Sequence, residues 1–164
     1  MNIIKNTHAT VHGAPLVRIV EPFLQTFDWQ AGVKNEIPIS GPCGLIYEIE
    51  NPFEQFDVSF AIADMRGLAF TKPHYHINSE TEIYIVLQGT GLVIVGGQER
   101  CVEKGDVIVT PPGVVHFVLP KNDLVLAVVN TPPFNLENMI EVHETNNDVG
   151  FDENQFGQLI ARQM

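Results

Sequence analysis

Cysteine is nearly absent: the chain of 164 residues has two, Cys43 and Cys101, far apart and with no CxxC pair. Neither a thiolate zinc site nor a redox dithiol is therefore indicated. Basic residues are also scarce, nine against twenty acids, for a formal charge of −11. Nucleic-acid and anionic-membrane surfaces need clustered Lys and Arg, so neither partner is expected. A small substrate stays open, because one Lys or Arg can anchor an anion whatever the net charge. Charged residues are only 18% of the chain against 45% hydrophobic, which excludes disorder as a whole-chain description. No apolar run approaches the length of a membrane span, and the opening MNIIKNTHATVHGAPL lacks the apolar stretch of a signal peptide. The expectation is a soluble, cytoplasmic protein.

Eleven prolines and thirteen glycines, spread along the chain, point to many turns between short strands. From about Gly41 to Asn130 the text alternates strand-like runs with turn residues: GLIYEIE, FDVSFAIADM, LAFTKPHYH, ETEIYIVLQ, LVIV, QERCVE, VIVTPP, VVHFVLP and LVLAVVN. Gly96-Gly97 is the strongest hairpin signal, since paired glycines accept the positive φ of a primed turn. With no long amphipathic helix, the pattern predicts an all-β sandwich or barrel. One domain spans residues 1–164: an N-terminal extension of strands and loops over 1–40 that includes LVRIV, a barrel core over 41–130, and a strand, acidic loop and helix over 131–164. Residues 137–153 hold six acids and no Lys or Arg, which reads as a solvated edge. Asp152 with Gln155 three residues later resembles a capping box ahead of FGQLIARQM, which predicts a short C-terminal helix covering a barrel edge or mediating dimer contacts.

The chemistry is concentrated in two stretches. His74-Tyr75-His76 is followed by Glu80-Thr81-Glu82 and Gly89; Gly105 is followed by Pro111-Pro112-Gly113 and His116. Side chains two apart on a strand point to one face, so His74 and His76 project together. Glu82 and His116 would close the set from neighbouring strands. Three imidazoles and a carboxylate suit a divalent transition metal. His8, His12 and His143 fall outside any ligand pattern and read as surface or loop histidines.

The run from Gly105 to His116 matches the first part of the second motif of the cupin superfamily, and His74 to Gly89 closely resembles the first motif. The fifteen residues between Gly89 and Gly105 equal the short spacer of compact microbial cupins. The resemblance implies a small jelly-roll barrel, a double-stranded β-helix. It would hold one divalent metal (Fe, Mn, Zn, Ni or Co) on His74, His76, Glu82 and His116, with positions left for water or substrate. It also implies that Pro111 and Gly113 make the turn delivering His116, and that Gly89 ends the strand carrying Glu82. Three departures stand out. Five residues separate His76 from Glu82 and three separate it from Glu80, where the family has three or four. Glu82 keeps the family's six residues to Gly89 along a strand, where register is strict, so Glu82 is the expected ligand and Glu80 the alternative. Gly67 stands six residues before His74 instead of five, and Pro120 occupies the place of a frequent Asn.

By parity, Phe70 and Lys72 share the face of the histidines unless Pro73 shifts the register. They are the candidate substrate contacts, with Lys72 an anchor for a carboxylate or phosphate. A lysine lying along the barrel rim is the blander reading. Tyr84 should point inward, and Glu82, Glu80 and Tyr84 are the available acid/base groups. The stretch PHYH…EIYIVLQGTG is similar to that of cupin-type sugar-phosphate isomerases. This favours a metal-dependent isomerase or epimerase acting on a sugar-like substrate or organic acid by proton transfer. An Fe(II) dioxygenase and a non-catalytic metal or small-ligand binding module are the alternatives. The expected partners are a small molecule and a second copy of the chain, as a homodimer.

Overall fold

The computed structural model describes residues 2–4, 39–41, 44–48, 57–68 and 70–162. Among these residues, twelve strands form two antiparallel sheets. The seven-stranded sheet runs β1 (Asn2–Ile4), β9 (Val107–Thr110), β6 (Thr81–Gln88), β11 (Val125–Thr131), β4 (Ser59–Asp64), β3 (Gly44–Glu48) and β2 (Ile39–Gly41). The five-stranded sheet runs β12 (Met139–Glu141), β5 (His74–His76), β10 (His116–Pro120), β7 (Thr90–Val95) and β8 (Gln98–Glu103). From β4 onward the chain passes from sheet to sheet, apart from the β7–β8 hairpin, which is the jelly-roll pattern of an all-β barrel. Two N-terminal strands, β1 and β2, extend the larger sheet; LVRIV lies outside the described residues.

Alternation decides what faces the interior. In β6, Glu82, Tyr84 and Val86 are buried while Ile83, Ile85 and Leu87 are only partly so. Tyr84, Val86, Val93, Ile108, Val118 and Leu126 interdigitate between the sheets as the main core. Each such side chain contributes about 1.5–3 kcal/mol on burial. The outer face of the five-stranded sheet is buried as well, so β10 is covered on both sides. Helix α1 (Glu153–Ala161) lays Leu159 and Phe156 against Phe117, Leu119 and Phe151 there. The helix starts as the sequence predicts, with the Asp152 side chain accepting from the N–H groups of Asn154 (2.8 Å) and Gln155 (3.4 Å). The Gln155 side chain does not complete a reciprocal box. It donates to Gly97 O (3.1 Å) and Glu99 Oε1 (3.0 Å), tying the helix to the hairpin.

The hairpin turn is Gly96-Gly97, with φ of 55° and 74°, the left-handed pair the dipeptide predicts. Gly89 is more constrained. Its φ is +76°, and a Cβ there would lie 2.0 Å from Asn122 O and 2.6 Å from Asp123 O, both backbone atoms that cannot rotate away. Left-handed strain of about 1–2 kcal/mol adds to an overpacking cost of about 1–3 kcal/mol. Gly89→Ala is therefore expected to lower the melting temperature by roughly 5–15 °C in a thermal melt, with 2–4 °C per kcal/mol. A melt unchanged within 2 °C or so would show that this corner is looser than its geometry.

Candidate metal centre

The barrel brings one wall of imidazoles against one carboxylate. His74 and His76 project inward from β5, with the partly buried Tyr75 between them facing out. His116 opens β10 and sits directly opposite His74 in the antiparallel register. The preceding turn has Gly113 at φ +71°, and its N–H donates to His76 O at 2.7 Å, so the turn that delivers His116 is pinned to β5. Glu82 comes from the other sheet, between its cross-strand partners Thr110 and Asn130. All four side chains are at most 4% exposed. Their ligand atoms lie within 4.8 Å of one another, close to the span of two metal–ligand bonds of ~2.1 Å laid end to end.

The outer nitrogen of each ring is occupied. His74 Nδ1 lies 2.8 Å from Lys72 O and His116 Nδ1 lies 3.0 Å from Val114 O. A carbonyl only accepts, so both Nδ1 atoms carry the hydrogen, and each ring turns its Nε2 to the centre. His76 Nδ1 faces Glu80 Oε1 at 3.1 Å, and its Nε2 faces Glu82 Oε2 at 3.6 Å. Neither contact is aligned as a hydrogen bond, so both nitrogens of this buried ring are unsatisfied. His116 Nε2 meets the same Glu82 Oε2 at 2.9 Å. Lone pairs confronting a carboxylate oxygen in a dry interior need a positive charge among them, either protons or a cation. A divalent ion satisfies all of these donors together, and the residues present fit one.

The electrostatics follow from burial and neighbours. Burial dominates at His74, His116 adds repulsion and Glu82 offsets only part of it, so the imidazole pKa is pushed down to about 3. Burial alone would raise Glu82, but the contacts with His116 and His76 outweigh it and hold the carboxyl well below its usual range. Burial alone would lower His76; Glu82 and then Glu80 reverse the sign and raise it.

The other residues singled out from sequence divide. Tyr84 points inward as expected, 2% exposed, with its ring centroid 6.1 Å from that of His116. Glu80 does not join the ligand atoms and does not sit at an open mouth. It is fully buried, accepting from Asn130 Nδ2 (3.0 Å) and Asn138 Nδ2 (3.1 Å). Phe70 and Lys72 are corrections. Strand β5 begins only at His74, so the parity carried back across Pro73 fails. Phe70 packs edge-on against Phe156 under α1, in the layer outside the barrel. Lys72 is exposed and donates to both oxygens of Glu141 at 3.1 Å. Residues that sequence reasoning passed over include Thr110, which donates to Glu82 O (3.0 Å), and Phe134, whose ring lies 6.0 Å from His76 and is 45% exposed. Asn130 had a readable signal, a polar residue at the inward parity of the otherwise apolar β11.

Barrel and cluster together define a class: a small β-barrel carrying the buried donor set of a metal-binding protein. The chain belongs to the cupin family, whose model, described as Cupin, matches residues 48–153. No curated protein matches the chain. Among solved structures, its fold is similar to a Streptomyces PAC13 variant determined with uridine, with TM-score 0.55 and 11% identity over 71% of this chain and 90% of that one. It is similar to KdgF from Halomonas sp., with TM-score 0.52 and 20% identity over 60% and 89% of the two chains. It is also similar to a salicylate 1,2-dioxygenase from Pseudaminobacter salicylatoxidans, with TM-score 0.50 and 18% identity over 57% and 28%. At these identities the likeness concerns the fold alone. Among the described residues, no helix is long and apolar enough to cross a membrane.

Proposed function

We propose that this cupin is a divalent-metal-dependent enzyme that acts on a small, oxygen-rich polar substrate by proton transfer, of the isomerase or epimerase type. The observation that carries the reading is the set of imidazoles converging on Glu82 in the buried interior of the barrel, with the Tyr84 ring beside them. His74, His76, His116 and Glu82 would hold the ion. When bound, such an ion acts as a Lewis acid that polarises substrate oxygens. The rest falls to the chain. Tyr84, buried against His116, is the hydroxyl placed to hand on a proton. Glu80, held by two amide groups and facing His76, fixes geometry instead of moving protons. Phe134 marks the side of the cluster from which solvent approaches.

The structurally similar proteins carry different chemistries in their names, so fold does not choose among reactions. The test is metal analysis of untagged protein, followed by incorporation of solvent deuterium into a panel of aldoses, ketoses and hydroxy acids. The expected result is label at the carbon next to the carbonyl, at equal rates in air and under nitrogen. Tyr84→Phe should slow it about 10²-fold or more at unchanged metal content. Oxygen consumption in place of deuterium exchange would replace this reading with an iron dioxygenase. Bound metal with no turnover would leave a binding module.

A further inference from the structure

Of the three imidazoles, His74 and His116 are oriented by backbone carbonyls that no substitution can remove. His76 differs. Its outer nitrogen faces a side chain, Glu80, which is fully buried and fixed by side chains far away in sequence. One of them, Asn138, ends the 3-10 turn Leu136–Asn138 in the segment that also carries Phe134 and Leu136, 45% and 66% exposed. Asn138 is engaged three more ways: its N–H donates to Asn135 O (2.8 Å), its carbonyl accepts from the Ile77 N–H (2.9 Å), and its side-chain oxygen accepts from Asn78 Nδ2 (2.8 Å).

Local backbone explains how Glu80 reaches this place. Asn78 and Ser79 both adopt left-handed φ, 56° and 63°, and the Glu80 N–H closes the turn on Ile77 O at 3.2 Å. Asparagine tolerates that conformation. The extra length between His76 and Glu82 is taken up there, and it brings a second carboxylate into the interior on the same parity as Glu82. Glu82 faces the inner nitrogens and Glu80 the outer one.

We infer that Glu80 is a positioning residue that couples the Phe134–Asn138 segment to the ligand His76. With an ion on Nε2 the hydrogen of His76 would sit on Nδ1, and the Glu80 carboxylate 3.1 Å away is the acceptor that would then hold it, while the same carboxylate accepts from Asn138. Metal binding and order in the segment then share one intermediary, and the coupling is reciprocal. The inference rests on the cluster being a metal site.

The test uses Co(II) as probe, with affinity measured against a competing chelator, the visible d–d bands recorded, and amide hydrogen exchange followed by mass spectrometry. Glu80→Gln keeps the shape but loses the charge, and should weaken Co(II) about 10–100-fold and shift the bands. Asn138→Ala, at a half-buried position, should weaken Co(II) by about 3–10-fold. In the unaltered protein Co(II) should slow exchange at the amides of Ile77, Phe134 and Asn138 about fivefold or more, and in Glu80→Gln saturated with Co(II) that protection should vanish. Wild-type affinity and bands in both variants, or protection that survives in Glu80→Gln, would overturn the coupling while leaving the metal site intact. Failure of the unaltered protein to bind Co(II) would overturn the metal reading and this inference with it.

Discussion

His76→Ala is expected to reduce bound divalent metal from about one ion per chain to less than about a tenth of that, and to abolish stabilisation by added metal. The ring it removes supplies one of four donors, and it is the one with neither nitrogen satisfied inside the protein. Structural zinc in zinc-finger peptides is held with about 10–16 kcal/mol; on that scale one donor of four is worth roughly a quarter, a hundredfold or more in affinity. An ion present at a thousand times its dissociation constant stabilises the fold by about 4 kcal/mol. At 2–4 °C per kcal/mol, that is a rise of roughly 8–16 °C in melting temperature. Elemental analysis and paired melts with and without Mn(II), Fe(II) or Co(II) measure both effects. Glu82→Gln should behave like His76→Ala in stoichiometry, because it removes the one ligand charge. A wild type that takes up no ion after reconstitution, and whose melt no metal moves, would reduce the cluster to a hydrogen-bonded core.

The candidate ligands were legible because strands leave little freedom. Parity placed His74 and His76 on one face, and β5 shows the two buried with Tyr75 turned out between them. The interval from Glu82 to Gly89 lies along β6, and Gly89 cannot shift: its left-handed φ and the backbone of Asn122 allow no side chain there. Parity does not separate Glu80 from Glu82, which share a face; the family's six-residue interval to Gly89, counted along a strand of strict register, selects Glu82. Parity misplaced Phe70 and Lys72 because it was extended past Pro73, outside the strand. There the aromatic cluster around Phe156 and the carboxylate of Glu141 decided the outcome. Both partners lie some seventy or more residues away in sequence, and no local pattern announces them. Glu80 was hidden for a related reason. Its role depends on Asn130 and Asn138, brought close by the crossing of β11 and the segment after it.

Acid should weaken the metal-free protein from about pH 6.5 downward, and His74 is the cause. Folded, this buried imidazole titrates near 3; unfolded, it takes up a proton near 6.5. Between those values the unfolded chain binds the extra proton, so each fall of one pH unit removes up to about 1.4 kcal/mol of stability. Glu82 adds to the loss lower down. Its folded pKa is depressed, so the stability it contributes is present above about pH 4.5 and disappears as pH falls through the folded value. His76 has the opposite sign. Its raised pKa contributes stability below about pH 6.5 that is lost as pH rises through the folded value, so it cannot offset the loss on the acid side. Thermal melts of chelator-treated protein should therefore fall by about 5–10 °C between pH 6.5 and 4.5. His74→Leu supplies the control. Leucine fills much of the imidazole's volume and binds no proton, so its melts should be distinctly flatter over that interval. If His74→Leu kept the full slope, His74 would not be the source of the acid sensitivity. The neutral state of His74 would then no longer explain how the metal-free barrel tolerates three imidazoles packed within 5.4 Å of one another.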